Sequence, residues 1–160
     1  MKNIDKSKII NQLKSKIEQE LAKAKEAFET THGHATANEL KAEGKYDTRG
    51  VEAGYLAGAQ KVRVEELEQE LELIEKIEFE NPNKIVSVGS LVDIELNENT
   101  RTYFISSTSG GTILKINDTP ILVISTFSPI GSAAIGLNEG DVFDVEINND
   151  TREYLIHQIY

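Results

Sequence analysis

Pairs of acids four positions apart could do chemistry, and Glu43 and Asp47 are one such pair. Four positions apart, they share one face wherever the chain between them turns as a helix, and two carboxylates on one face can hold a divalent cation between them. Mg²⁺ suits such a pair, because it keeps most of its waters and takes only one or two protein carboxylates. Gly44 and Gly50 stand beside them and tolerate a sharp bend. Arg49 offers a guanidinium that could steady the acids or a phosphate, while Lys45 and Tyr46 could meet a partner or simply face water, and Glu52 is a spare acid nearby. Ordinary solvated acids give the same pattern in a chain with 27 of them, so spacing alone leaves both readings open.

Other chemistries are poorly represented. His32-Gly33-His34 pairs two imidazoles with no third ligand near, which usually means an exposed turn or a fraying helix end. His157 falls in the last apolar run, as a packing or edge residue. There is no cysteine, which removes disulfides, thiol catalysis and cysteine-bound zinc. A nucleophile beside its base, a phosphate-cradling glycine loop and a dinucleotide fingerprint are all missing, so an independent hydrolase has no constellation behind it.

The formal net charge of −10 argues against broad contact with a phosphate backbone, whose affinity comes from clustered Lys and Arg. Before Pro82 there are 13 basic and 17 acidic side chains, and after it 4 and 10. No run reaches the roughly 18 apolar residues of a membrane helix, and the first residues lack the cationic-then-apolar order of a signal peptide. A cytoplasmic protein without membrane contact is expected.

Two halves with different periods must position the acids. From Asp5 to Thr31, Ile10, Leu13, Ile17, Leu21, Ala24 and Phe28 recur at steps of three and four, the seam of a paired helix. A second such run between Gly50 and Phe79 carries Ala53, Ala57, Val64, Leu67, Leu71 and Ile74. Two such helices bury their seams in each other, so residues 1–80 read as an antiparallel hairpin projecting from the rest, about 40 Å long at about 1.5 Å per residue. Near its turn the small residues Ala53, Gly54, Ala57 and Gly58 allow either a close approach of the two backbones and a narrow tip, or poor packing and fraying, since a glycine inside a helix costs about 1 kcal/mol relative to alanine.

Asn81-Pro82-Asn83 stops the second helix and marks the boundary. Residues 81–160 then read as a meander of antiparallel strands over Ser90 to Leu96, Arg101 to Ser106, Thr112 to Ile116, Ile121 to Ser125, Val142 to Ile147 and Arg152 to Ile159. Turn chemistry separates them at Asn97-Glu98-Asn99, Ser109-Gly110-Gly111, Asn117-Asp118 and Asn148-Asn149-Asp150. Pro129-Ile130-Gly131 opens a short helical segment that ends by Gly136. The fold class is α+β.

Val88-Gly89-Ser90, then Ser128-Pro129-Ile130-Gly131-Ser132-Ala133-Ala134-Ile135-Gly136, then Gly140-Asp141-Val142 resemble, in that order, the carboxy-terminal domain of Gre transcript-cleavage factors. The resemblance implies a sheet domain related to FK506-binding proteins, docked at the rim of the RNA polymerase secondary channel, with Ser128, Pro129 and Gly131 on the docking surface. Its amino-terminal coiled coil would reach toward the catalytic centre and the nascent RNA 3′ end. Arg63-Val64-Glu65-Glu66-Leu67-Glu68 resembles the family's R-x-x-E-L-E run, and anchoring there puts the tip at Glu43 to Gly50, with Glu43 and Asp47 as the tip acids and Lys45, Tyr46 and Arg49 as contacts. The family's usual D-L-S-E-N-A-E-Y tip is not present as such.

Three functions follow as expectations. The first is a monomeric elongation factor, not itself an enzyme, that stimulates cleavage of backtracked RNA by presenting Glu43 and Asp47 to a Mg²⁺ of the polymerase active site, with no cofactor of its own. The second is a relative that occupies the channel without supporting cleavage, as the altered tip would suggest. The third is a chaperone-like or scaffold module that does not bind polymerase.

Overall fold

A computed structural model describes residues 4–41, 48–78 and 84–160, with the backbone alone at 35, 37–41, 48 and 49. Helix α1 (Lys6–Lys41) and helix α2 (Thr48–Glu75) precede β1 (Leu91–Leu96), β2 (Asn99–Ser106), β3 (Ile113–Ile116), β4 (Thr119–Ser125), α3 (Pro129–Ala134), β5 (Val142–Ile147) and β6 (Asp150–Ile159). Among the described residues no helix is long and apolar enough to cross a membrane. The chain divides into two compact units, Lys14–Glu72 and Met1–Leu13 with Leu73–Tyr160. The expected boundary, Asn81-Pro82-Asn83, lies outside the described residues, and compactness groups the first turns of α1 and the end of α2 with the strands.

In the helical unit the seam forms as its spacing requires. Ile17, Ala57 and Leu67 are buried, with Leu21, Ala24, Phe28, Ala53, Val64 and Leu71 half-buried beside them. Helices packed together and linked by only six residues must run antiparallel. Gln60 occupies a seam position between Ala57 and Val64, and its Oε1 is buried without a hydrogen-bond partner among the described residues. Around the seam Lys25 pairs with Glu68 at 2.7 Å, and Arg63 reaches Glu20, Glu66 and Glu70 at 3.2, 3.4 and 3.7 Å. These pairs are exposed, so each contributes at most about 1 kcal/mol.

Helix α1 runs ten residues past the expected end at Thr31, and His32-Gly33-His34 lies inside it rather than in a turn. Within it the Thr30, Thr31 and Thr36 hydroxyls donate to the carbonyls of Glu26, Ala27 and His32, one turn back. The Phe28 and His32 rings stack at 5.5 Å across the same spacing.

The six strands form one sheet in the order β3-β4-β2-β1-β6-β5. Three of its connections are two-residue hairpins in which both residues have positive φ: Asn97-Glu98, Asn117-Asp118 and Asn148-Asn149. That backbone matches the right-handed twist of the strands it joins, and Asn tolerates it best after Gly. A pure meander is not what forms, because β2 and β4 pair in parallel, Thr102 with Ile121 through Ser106 with Ser125. The β3–β4 hairpin thus lies outside β2, and β6 returns to pair with β1.

Both faces of the sheet are apolar. On one, Val92, Ile105, Phe143, Val145, Tyr154 and Ile156 pack with Ala134 of α3, the Phe143 and Tyr154 rings stacked at 5.4 Å. On the other, Leu91, Phe104, Ile121 and Val123 are fully buried, and the other fully buried apolar side chains of this unit include Ile9 and Ile74, from the ends of α1 and α2. The Gln12 amide donates to the Lys115 carbonyl of β3 at 3.2 Å, which fixes α1 against that face.

The buried Asp93 carboxylate lies on this second face and accepts from the Thr102 hydroxyl at 2.6 Å and the Tyr160 hydroxyl at 2.8 Å. Burial, then the bond to Asp93 and its charge, push the Tyr160 phenol up to about 12. A phenol whose folded pKa lies above its unfolded value near 10 stabilises fully below pH 10, and that contribution is lost as the pH rises toward 12. Tyr160→Phe is therefore expected to lower stability at neutral pH by about 1 kcal/mol and to flatten the fall between pH 10 and 12, as measured by urea unfolding across pH.

Candidate functional site

Two regions compete as sites, the segment between the long helices and the α3 face of the sheet. Glu43, Lys45, Tyr46 and Asp47 lie outside the described residues, as does Gly44, and Arg49 is described only as backbone within α2. In sequence the four fall between Lys41, where α1 stops, and Thr48, where α2 starts. Gly50 is not a bend but part of α2, and Glu52 follows on it with its side chain exposed. Among the described residues no three His, Asp or Glu side chains gather to hold a metal ion. His157 pairs loosely with Glu95, Nδ1 to Oε2 at 3.6 Å, on the exposed part of β6.

Gly54 and Gly58 do not have the role expected of them, whereas Ala53 and Ala57 lie in the seam. A Cβ built on Gly54 or Gly58 would meet nothing within 4 Å, so neither glycine lets a backbone come close. They border a groove of about 420 Å³ instead, with Phe28, His32 and Lys61 on its walls. Next to it α2 exposes Val51, Tyr55 and Val62, which fall on one stripe at helical spacing.

On the sheet, the motif around α3 is built by close contact. Ser128 is the N-cap, its Oγ accepting the Gly131 N–H at 3.0 Å and donating to the Ser125 carbonyl at 2.7 Å. Pro129 takes the first helical position, where its missing N–H costs nothing, and stays exposed. Gly131 is buried against the Ser125 carbonyl oxygen, with which any Cβ would collide. Gly89 has the same reason, since at φ +87° a Cβ there would strike the Glu78 carbonyl and Ile77. Of the three expected docking residues, Pro129 alone is freely exposed, and Phe127 just before it is 87% exposed.

Beside α3 the sheet leaves an opening. A cavity of about 430 Å³ opens there, floored by Ile94, Tyr103, Leu122, Ile124 and Tyr154 and walled by Ile130 of α3. Arg101, Arg152, Asn97 and Asn99 form its rim. Burial raises the Tyr103 phenol above its ordinary range, against the opposing pull of the Arg101 charge and its hydrogen bond. The separate turns and strands that contribute these residues gave no sequence signal that they meet.

Residues 81–160 match the family described as "Transcription elongation factor, GreA/GreB, C-term". Over 153 residues the chain is 29% identical to a transcription elongation factor GreA from Acetivibrio thermocellus, covering 90% of this chain and 89% of that one. Solved structures with a similar arrangement include the GreA factor homolog 1 (Gfh1) protein of Thermus thermophilus, 20% identical over 92% of this chain and 94% of that one, TM-score 0.38. The GreA/GreB factor of Nitrosomonas europaea is 17% identical over 64% of this chain and 91% of that one, TM-score 0.37.

The glycines separate by environment, and so should their alanine variants. Gly131→Ala is expected to cost about 1–3 kcal/mol in urea unfolding followed by tyrosine fluorescence, because the added methyl meets backbone. Gly54→Ala and Gly58→Ala, with open space and helical backbone, are each expected to stabilise the helical unit by about 0.5–1 kcal/mol, read as a higher midpoint in helical circular dichroism.

Proposed function

This chain belongs to the GreA/GreB family of transcription elongation factors, and on that premise we propose that it binds RNA polymerase and stimulates cleavage of backtracked nascent RNA. The carrying observation is the family match over 81–160 joined to two long antiparallel helices, between which fall the two carboxylates Glu43 and Asp47. The sheet domain docks at the rim of the secondary channel by the surface around α3, where Pro129 is exposed and Ser128 and Gly131 hold the local shape. The hairpin enters the channel, and its turn brings Glu43 and Asp47 to the polymerase active centre.

Hydrolysis of a phosphodiester by two metal ions needs oxygen ligands for the second Mg²⁺ and its water. Glu43 and Asp47 supply them. Arg49 balances the acids, and Lys45 and Tyr46 touch the polymerase. The factor holds no metal of its own, and the bond is broken by the polymerase's own hydrolytic activity. A second reading, a regulator that fills the channel without supporting cleavage, is favoured by one observation: the stretch Glu43 to Gly50 departs from the family's usual acidic tip.

The test is a stalled, backtracked elongation complex with Mg²⁺, followed for release of short 3′ RNA fragments. The wild type should accelerate release, and Glu43→Ala and Asp47→Ala should each lower it by about a hundredfold without loss of binding, as expected for a lost metal ligand. Binding with no cleavage in the wild type would select the regulator, and failure to bind polymerase would remove both.

A further inference from the structure

The first half of α2 differs in charge from the second. Gly50 to Arg63 carries one acid, Glu52, and two bases, Lys61 and Arg63, whereas Val64 to Glu75 carries six acids and no base. Val51, Tyr55 and Val62 stand on the nearly neutral stretch, 58%, 79% and 52% exposed. With Gly58 they form one stripe at steps of four, three and four, on the side of the helix opposite the seam residues Ala57, Val64 and Leu67, so α1 does not cover it. Glycine inside a helix is destabilising relative to alanine, and nothing within the chain requires Gly58, because a Cβ built there would meet nothing within 4 Å.

We propose that this stripe pairs with the same stripe of a second copy, antiparallel, about a two-fold axis that passes between the levels of Leu56 and Ala57. A two-fold contact needs knob and hollow on one surface, each level with the other across the axis. Tyr55 and Gly58 meet that need: the ring of each copy lies over Gly58 and Ala59 of the other, where no side chain is larger than a methyl. In the same register Val51 of each copy lies level with Val62 of the other. An antiparallel two-fold pair also brings like flanks together, so Glu52 of one copy and Arg63 of the other share a flank, about 3 Å apart along the helix axis. Past Val62 the exposed Glu65 and Glu66 end the apolar stripe, which limits the contact to about 16 Å of helix. A patch of that length falls well short of a standard interface, so the dimer is weak and reversible, and the monomer expected from the sequence is its dilute state. The inference is independent of polymerase binding. Pairing covers the outer face of α2, so paired and free copies offer different surfaces to any other partner.

The chain has no cysteine, so single cysteines report the register. Full-length Val51→Cys and Val62→Cys are mixed under mild oxidation. The disulfide between the two variants should form about tenfold faster than either variant's link to itself, because positions 51 and 62 are level across the axis while two copies of either are about 16 Å apart along it, beyond a disulfide's reach. Sedimentation of the wild type from about 10 to about 500 μM should show a reversible dimer, the range in which so small a contact associates. Gly58→Gln should weaken that dimer at least about tenfold with the helical signal intact, because its side chain fills the hollow without meeting its own chain. Self-links as fast as the mixed link would overturn the proposed register, and Gly58→Gln that dimerises as the wild type does would overturn the contact. A wild type that stays monomeric throughout that range would overturn the pairing altogether. In that last case, loss of core RNA polymerase binding in Gly58→Gln would assign the stripe to the polymerase instead.

Discussion

A sheet that is apolar on both faces must be covered twice. Leu91, Phe104, Ile121 and Val123 on one side and Val92, Ile105, Tyr154 and Ile156 on the other cannot both be protected by α3, a helix of six residues. The strands therefore require the ends of the long helices, and residues 1–13 and 73–78 belong to the sheet's own compact unit for this reason. Burying a branched apolar side chain is worth about 1.5–3 kcal/mol, so Ile9 and Ile74 alone hold the helix ends as firmly as a modest interface would. The first turns of α1 and the end of α2 are thus part of the β unit's own packing.

Most of the fold was legible because it is written in local patterns. The strand limits agree within two residues, since Asn-rich pairs with positive φ break the β-branched runs where they must. The helical seam was legible for the same reason, from its three-and-four spacing. Non-local features escaped. Parallel pairing of β2 with β4 depends on which strand edges remain open after the hairpins close, and no dipeptide encodes that. The extension of α1 through Gly33 ran against its composition, where a glycine and two threonines read locally as an end. Gly54 and Gly58 looked like contact points but face open space, because composition shows that a residue is small and not what stands opposite it.

The candidate site divides in the same way. The acids between the helices are visible in sequence by type and position, and Ser128, Pro129 and Gly131 are visible as a motif. The motif owes its form to the crowding at the Ser125 carbonyl, which receives the Ser128 amide and hydroxyl and leaves room for nothing larger than Gly131. The arginine-rimmed cavity could not have been read ahead, since its residues come from distant strands and meet only in the folded sheet.

The outer strand β5 has a further effect. Its outer edge offers backbone donors and acceptors to any passing strand, and Phe143 and Val145 are buried, so what a second sheet would meet on the other face is Asp144 and Glu146 beside the exposed Val142. Two copies joining along that edge in antiparallel fashion would bring these carboxylates opposite their own kind, a repulsion that cross-strand neighbours feel strongly. The acidity of the β half therefore also places like charges along an otherwise adhesive border.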